Sequence, residues 1–221
     1  MSKWTIIYCR RHDGYSPHLN AIKISNPEHQ LIVVDTANNY PPHKGWMECD
    51  LILRSNIKEN LSKIQHNNVA LLEWDVLLLD NLPDMDINHL YADSVYYSGG
   101  PWIPAAKRHF KNTEYEQFIV CASRFCFYMM PKLALEIWTN PENDIWFEKS
   151  MSCEVRLPTI CRKHGIESTT FKKPYPIRGR DDMPSICGKN IYHPILEQLS
   201  DEFLEAHFFS DPFDNVFDIN Y

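Results

Sequence analysis

Glycine is scarce in this chain, 7 of 221 residues, and the first does not appear until Gly14. A loop that wraps a phosphate in backbone amides is built from closely spaced glycines. Its absence after the first apolar run counts against a nucleotidyltransferase. The seven cysteines (Cys9, Cys49, Cys121, Cys126, Cys153, Cys161 and Cys187) include no C-x-x-C pair. Their odd number and scatter suit reduced thiols rather than a disulfide frame or a zinc site. No H-E-x-x-H or G-x-S-x-G pattern is present, which sets aside zincin-type proteolysis and elbow-serine hydrolysis. There is no basic excess either. The net charge of −7 gives no electrostatic footprint for nucleic acid. Long hydrophobic runs are missing: Met1–Tyr8 lacks the apolar core of a signal peptide, and no other stretch is long enough for a bilayer. The expectation is a soluble, cytoplasmic protein with no transmembrane segment and no internal repeat.

What is present suffices for a large core, since 44% of residues are hydrophobic. Strand and helix signals alternate in the first half. Trp4–Tyr8 reads as a strand ending in Arg10–Arg11–His12–Asp13–Gly14, and Ser16–Pro17 as a helix start. Leu31–Val34, closed by Asp35, reads as a second strand. Asp50–Arg54 reads as a third, with a polar connecting helix over Ile57–Gln65. Such alternation predicts an α/β fold with a mostly parallel sheet covered on both faces. In the second half, Ser94–Ser98 alternates like a strand and breaks at Gly99–Gly100. Phe118–Met130 suggests two strands or one bent one, and Pro131–Trp138 and Cys153–His164 read as helices, the latter closed by Gly165. Residues 1–197 form the expected domain, and 198–221 an acidic, aromatic tail packing on it or on a second subunit, as in a homodimer.

The stretch with most chemical content is Asn68–Leu79, an apolar run interrupted by Glu73–Trp74–Asp75. It is too short for a membrane and too apolar for an exposed strand, so it reads as a buried central strand. Two acids at i and i+2 in that setting call for a cation at the strand's end, and a metal ion holding a phosphate supplies one. Ligands of mostly parallel sheets bind beyond the carboxyl ends of the strands. Arg10–Arg11–His12, Asp35, Arg54 and Glu73–Asp75 are therefore expected to gather on one edge. The plainer reading of each is a strand cap, a solvated pair or a first-turn acid.

In its order of features the chain resembles the small, single-domain glycosyltransferases of the GT-A fold found in bacteria and large viruses. Glu73–Trp74–Asp75 stands where that superfamily carries its DXD motif, with glutamate for the first aspartate. Ser152–Thr159, followed by Gly165, is similar to the acidic helix start beside the acceptor. Ile191–Tyr192–His193–Pro194 resembles the late histidine that completes the metal site. The resemblance implies a GT-A-like sheet with a nucleotide-binding half and an acceptor half. It implies transfer of a sugar from a nucleotide-sugar, most often UDP-linked, to a hydroxyl acceptor on a glycan, glycolipid or glycoprotein. Mn²⁺ or Mg²⁺ would be held by Asp75, His193 and Glu73, the histidine leaning the site toward Mn²⁺. Glu154 becomes the candidate catalytic carboxylate. Tyr8, Arg10, Asp35 and Arg54 become candidates for base, ribose and phosphate, Trp102 for a sugar face, and Arg178 and Arg180 for a closing loop. The alternatives are a non-catalytic nucleotide- or carbohydrate-binding protein on a degenerate transferase scaffold, and the weaker nucleotidyltransferase.

Overall fold

A computed structural model of the chain describes residues 2–11, 14–35, 45–78, 81–84, 87–92, 94–97, 101–123, 126–149, 151–170 and 191–192. Its frame is a six-stranded mixed sheet flanked by helices, in the order β2-β1-β3-β8-β5-β9. The strands are β1 (Trp4–Arg10), β2 (Gln30–Asp35), β3 (Asn68–Leu72), β5 (Leu90–Ala92), β8 (Phe127–Pro131) and β9 (Ser168–Thr170). Three pairings are parallel, β1 with β2, β1 with β3 and β5 with β9, while β8 runs antiparallel to both β3 and β5.

β1 is the spine because it is apolar on both faces, the pattern of a strand covered on each side. Trp4, Ile6 and Tyr8 face one way and pack with Ile22, Ala70, Leu72, Phe127 and Met129. Ile7 and Cys9 face the other way, toward Leu53, Ile57, Leu135, Val155 and Leu157. The second face is covered by α2 (Gly45–Asn60), α3 (Trp102–His109), α4 (Lys132–Thr139) and α5 (Cys153–Lys163). The first is covered by α1 (Leu19–Ser25) and the apolar side chains of Val76, Leu78, Leu82 and Ile87. Ser25 Oγ donates to the Leu78 carbonyl at 3.0 Å and Leu82 N donates to Asn26 Oδ1 at 3.2 Å, which fastens that segment to the end of α1.

Two expectations are corrected. Asp50–Arg54 is not a strand but lies inside the 16-residue α2. Leu53 and Ile57, one turn apart, are both buried while Ser55, Lys58 and Glu59 are exposed, so the burial follows a helical period. The expected connecting helix is the end of α2 plus a single tight turn at Leu61–Lys63. Asn68–Leu79 is not one strand either. β3 stops at Leu72, the chain turns through Glu73–Val76, and β4 (Leu77–Leu78) leaves the main sheet to pair antiparallel with β10 (Ile191–Tyr192).

The other elements fall near their expected places. α1 opens at Leu19, two residues past the expected proline start, with His18 before it. Phe118–Met130 holds two strands, β7 (Ala122–Ser123), paired with β6 (Val95–Tyr96), and β8. α5 is capped by Ser152, whose Oγ accepts from Glu154 N at 3.3 Å, runs through Pro158 to Lys163, and is followed after His164 by Gly165 with φ of +81°. Among the described residues no helix is long and apolar enough to cross a membrane. The Pro174–Lys189 loop and the 198–221 tail lie outside the described residues.

Candidate functional site

The parallel register brings the strand ends together. Tyr8 of β1 is level with Val33 of β2 and Leu72 of β3, and Arg10 is level with Asp35. The residues that follow, Arg10–Arg11 after β1, Asp35 closing β2, and Glu73–Trp74–Asp75 after β3, therefore emerge along one carboxyl edge. β8 starts at the same edge, with Phe127 opposite Leu72, and Glu73 N donates to the Cys126 carbonyl at 2.8 Å. A second backbone bond, from Val76 N to the Glu73 carbonyl at 3.1 Å, closes the acidic turn.

Tyr8 organises this turn from beneath. Its ring has no exposed surface, and its hydroxyl donates to the Trp74 carbonyl at 2.7 Å. Burial, with the Asp75 carboxylate adding to it, raises the phenol far above its ordinary value, so it stays protonated and a donor. The base-stacking role expected for Tyr8 does not fit a ring with no open face; the residue positions Trp74–Asp75 instead. Asp75 Oδ1 is itself shielded from solvent. Above the turn, Arg11 approaches Trp74 and Tyr15 at 5.2 and 5.3 Å from the ring centroids, and the two rings are 6.3 Å apart. Beside them, Arg10 Nε and Nη2 both meet Asp35 Oδ1 at 2.7 Å. This pairing raises the Arg10 pKa further.

Glu154, in the first turn of α5, accepts a hydrogen bond from the Tyr96 hydroxyl at 2.7 Å. Its charge, together with Cys153 and Cys126, adds to the burial that holds Tyr128 well above the ordinary tyrosine range, while a 2.8 Å hydrogen bond with Ser123 works against it. Tyr96 belongs to β6 (Val95–Tyr96), and in its partner β7 (Ala122–Ser123) the Ser123 hydroxyl meets that of Tyr128, the second residue of β8.

The remaining candidates are placed differently. Arg54 points into the helical layer rather than to the strand ends. It donates to the carbonyls of Trp138 and Asn140 at 2.8 and 2.9 Å, pairs with Asp144 at 2.6 Å, and lies 4.1 Å from the Phe147 ring centre. These contacts make it a brace between α2 and the turn after α4. Trp102 opens α3 and packs half-buried against the core on the helical side. His193, Arg178 and Arg180 lie outside the described residues, although Tyr192 pairs with Leu77, two residues past Asp75. Among the described residues no group of three or more His, Cys, Asp or Glu side chains is placed to hold a metal.

Sequence reasoning missed Tyr15, Tyr96 and the buried pair of Arg156 with Asp50. Tyr15 reaches Arg11 because Gly14, at φ +84°, lets the chain turn sharply: Gly14 N donates to the Arg11 carbonyl at 2.9 Å and Arg11 N to the Tyr15 carbonyl at 3.2 Å. A lone glycine after a strand was the available signal. Nothing local marks Tyr96 or Asp50, whose partners are 58 and 106 residues away.

The fold and edge together define an α/β protein whose parallel strands end in a mixed basic, acidic and aromatic rim. No protein-family model matches the sequence, and comparison with curated proteins gave no match.

Proposed function

We propose that this chain is a metal-dependent glycosyltransferase of the GT-A type, moving a sugar from a nucleotide-sugar, UDP-linked by preference, to a hydroxyl acceptor. The observation that carries the reading is the convergence of Arg10, Arg11, Asp35 and Glu73–Trp74–Asp75 on the carboxyl edge of the parallel strands, where mostly parallel sheets bind their ligands.

The donor set suits a hard divalent cation. Glu73 and Asp75 offer carboxylate oxygens from one short turn, and Asp75 Oδ1 is shielded from solvent. His193, one peptide link beyond Tyr192, is the proposed third ligand. Mn²⁺ or Mg²⁺ bound there supplies Lewis-acid neutralisation of a leaving diphosphate.

The rest is done by the chain's own groups. Tyr8 and the Glu73–Cys126 backbone bond fix the acidic turn. Arg10 and Asp35 present a cation and an anion to the ribose and phosphates. Glu154 takes the proton from the acceptor hydroxyl in an inverting transfer, and Tyr96 holds that carboxylate in orientation.

The test is release of nucleoside diphosphate from a panel of UDP- and GDP-sugars, with and without Mn²⁺. Metal-stimulated release that falls roughly 100-fold in Glu154→Gln supports the assignment. Folded protein that turns over no donor under any metal condition contradicts it. Nucleotide binding without turnover instead favours the degenerate-scaffold binder, which the glutamate at position 73 keeps in play.

A further inference from the structure

At the amino end of the strands, opposite the rim, Asn26–Pro27–Glu28–His29 joins α1 to β2, and a cavity of about 160 Å³ lies beside this connection. Its apolar lining comes from Ile6 and Ile22, each 1% exposed, and from the half-buried Leu31. The connection is fixed by bonds of its own. Asn26 N donates to the Ile22 carbonyl at 3.0 Å, His29 N to the Asn26 carbonyl at 3.2 Å, and Asn26 Nδ2 to Ser25 Oγ at 2.8 Å. An apolar cavity of roughly 150 Å³ accommodates a benzene ring, so this space suits a six-membered ring without rearrangement.

The polar group that distinguishes the cavity is His29. Its side chain is 3% exposed, and its Nδ1 is buried with no hydrogen-bond partner. Buried polar atoms are nearly always bonded, and one that is not calls for an explanation. Burial, with His66 adding to it, lowers the pKa, so near pH 7 the ring is neutral, with one nitrogen donating and the other accepting. The Glu28 carboxylate, 3.9 Å from Nε2, and the Glu28 backbone oxygen both attract the ring proton. Nδ1 bonds to neither, which places the proton on Nε2 and leaves Nδ1 an acceptor. Lys23, in the last turn of α1, also borders the cavity but is exposed; its ammonium keeps water as a partner and does not select an anion.

We infer that this cavity is a binding site for a small phenol, its ring against Ile6, Ile22 and Leu31 and its hydroxyl donating to His29 Nδ1. A plain hydrocarbon ring leaves the nitrogen unbonded, and a carboxylate sets its lone pairs against another lone pair. An apolar pocket with one placed polar group is the usual form of a small-molecule site. It stands at the opposite end of the strands from Arg10, Asp35 and Glu73–Asp75, and does not rest on the proposed transfer reaction.

The experiment is a nuclear magnetic resonance titration of phenol, toluene and benzoate into the full chain near pH 7, following the imidazole nitrogens, and into His29→Phe and Leu31→Trp by amide shifts. Circular dichroism confirms that each variant is folded. Phenol is expected to saturate in the millimolar range and to move the His29 Nδ1 resonance, with toluene and benzoate each weaker by about fivefold or more. His29→Phe keeps a ring but removes the acceptor, and should weaken phenol by about tenfold. Leu31→Trp fills the space from its half-buried wall and should abolish binding. Should His29→Phe fail to fold, Leu31→Trp and the Nδ1 resonance of wild type decide. No saturable phenol binding, binding that Leu31→Trp leaves intact, or a His29 Nδ1 resonance that does not move overturns the inference. So does toluene or benzoate binding as tightly as phenol, because the hydroxyl would then have no role.

Discussion

Two arginine–aspartate pairs invite comparison, because they share chemistry and differ in setting. In the helical layer, Arg156 pairs with Asp50, and the side chains are 1% and 0% exposed. Arg156 also donates to the carbonyls of Trp146 and Met151 at 3.1 and 2.5 Å and lies 4.9 Å from the Phe147 ring centre. At the strand ends, Arg10 and Asp35 are 40% and 52% exposed. A buried pair is desolvated, and its charges depend on each other; an exposed pair keeps water as an alternative partner. The first pair therefore fixes α5 against α2, and with it Glu154, two residues before Arg156. The second stays in contact with solvent.

The largest effect is expected at the buried pair. Arg156→Met leaves the Asp50 charge stranded and is expected to cost roughly 3–5 kcal/mol in urea unfolding, while Arg156→Met with Asp50→Leu recovers much of that. A loss below about 1 kcal/mol in the single variant would place this pair in the same class as the surface one. Next in size, Tyr8→Phe removes the bond to the Trp74 carbonyl without changing ring packing. It is expected to cost about 1–2 kcal/mol by the same measurement.

A pH effect follows from His29, whose side chain is 3% exposed. Burial lowers its pKa below the ordinary 6.5, and nearby His66 adds to this, while Glu28 opposes it. Above pH 6.5 the ring is neutral in both folded and unfolded chains. Below it the unfolded chain takes up the proton first, so stability falls until the folded pKa is passed. Urea midpoints at about pH 7.5 and 5.5 should differ less in His29→Gln than in wild type; equal slopes would show that other groups set the acid response. The smallest effect is expected at the exposed pair. Arg10→Gln should leave the urea midpoint close to that of wild type, and closer still in high salt.

The same contrast explains what could be read from the chain. β1, β2, β3, α4 and α5 follow from local pattern: apolar runs, a proline before Lys132, a serine cap at position 152 and a glycine at 165. The convergence of Arg10, Asp35 and Glu73–Asp75 was legible because parallel strands impose it. Leu51–Ile52–Leu53 was misread because a three-residue apolar run has no period of its own; the helix shows only when Leu53 and Ile57 are considered together. Val76–Leu78 was joined to β3 because both are buried, yet Leu78 packs against the α1 side after the chain has turned. Asp50 with Arg156 and Tyr96 with Glu154 are tertiary pairings, and no spacing rule spans such separations.

We propose that the Glu73–Asp75 turn is where a metal-held nucleoside diphosphate binds. Its most direct test is calorimetric titration of UDP, with and without Mn²⁺, into wild type and Asp75→Ala. Binding is expected to require Mn²⁺ and to disappear in Asp75→Ala while the variant remains folded. Absence of UDP and GDP binding by folded wild type, or binding that neither Mn²⁺ nor Asp75→Ala alters, would contradict it.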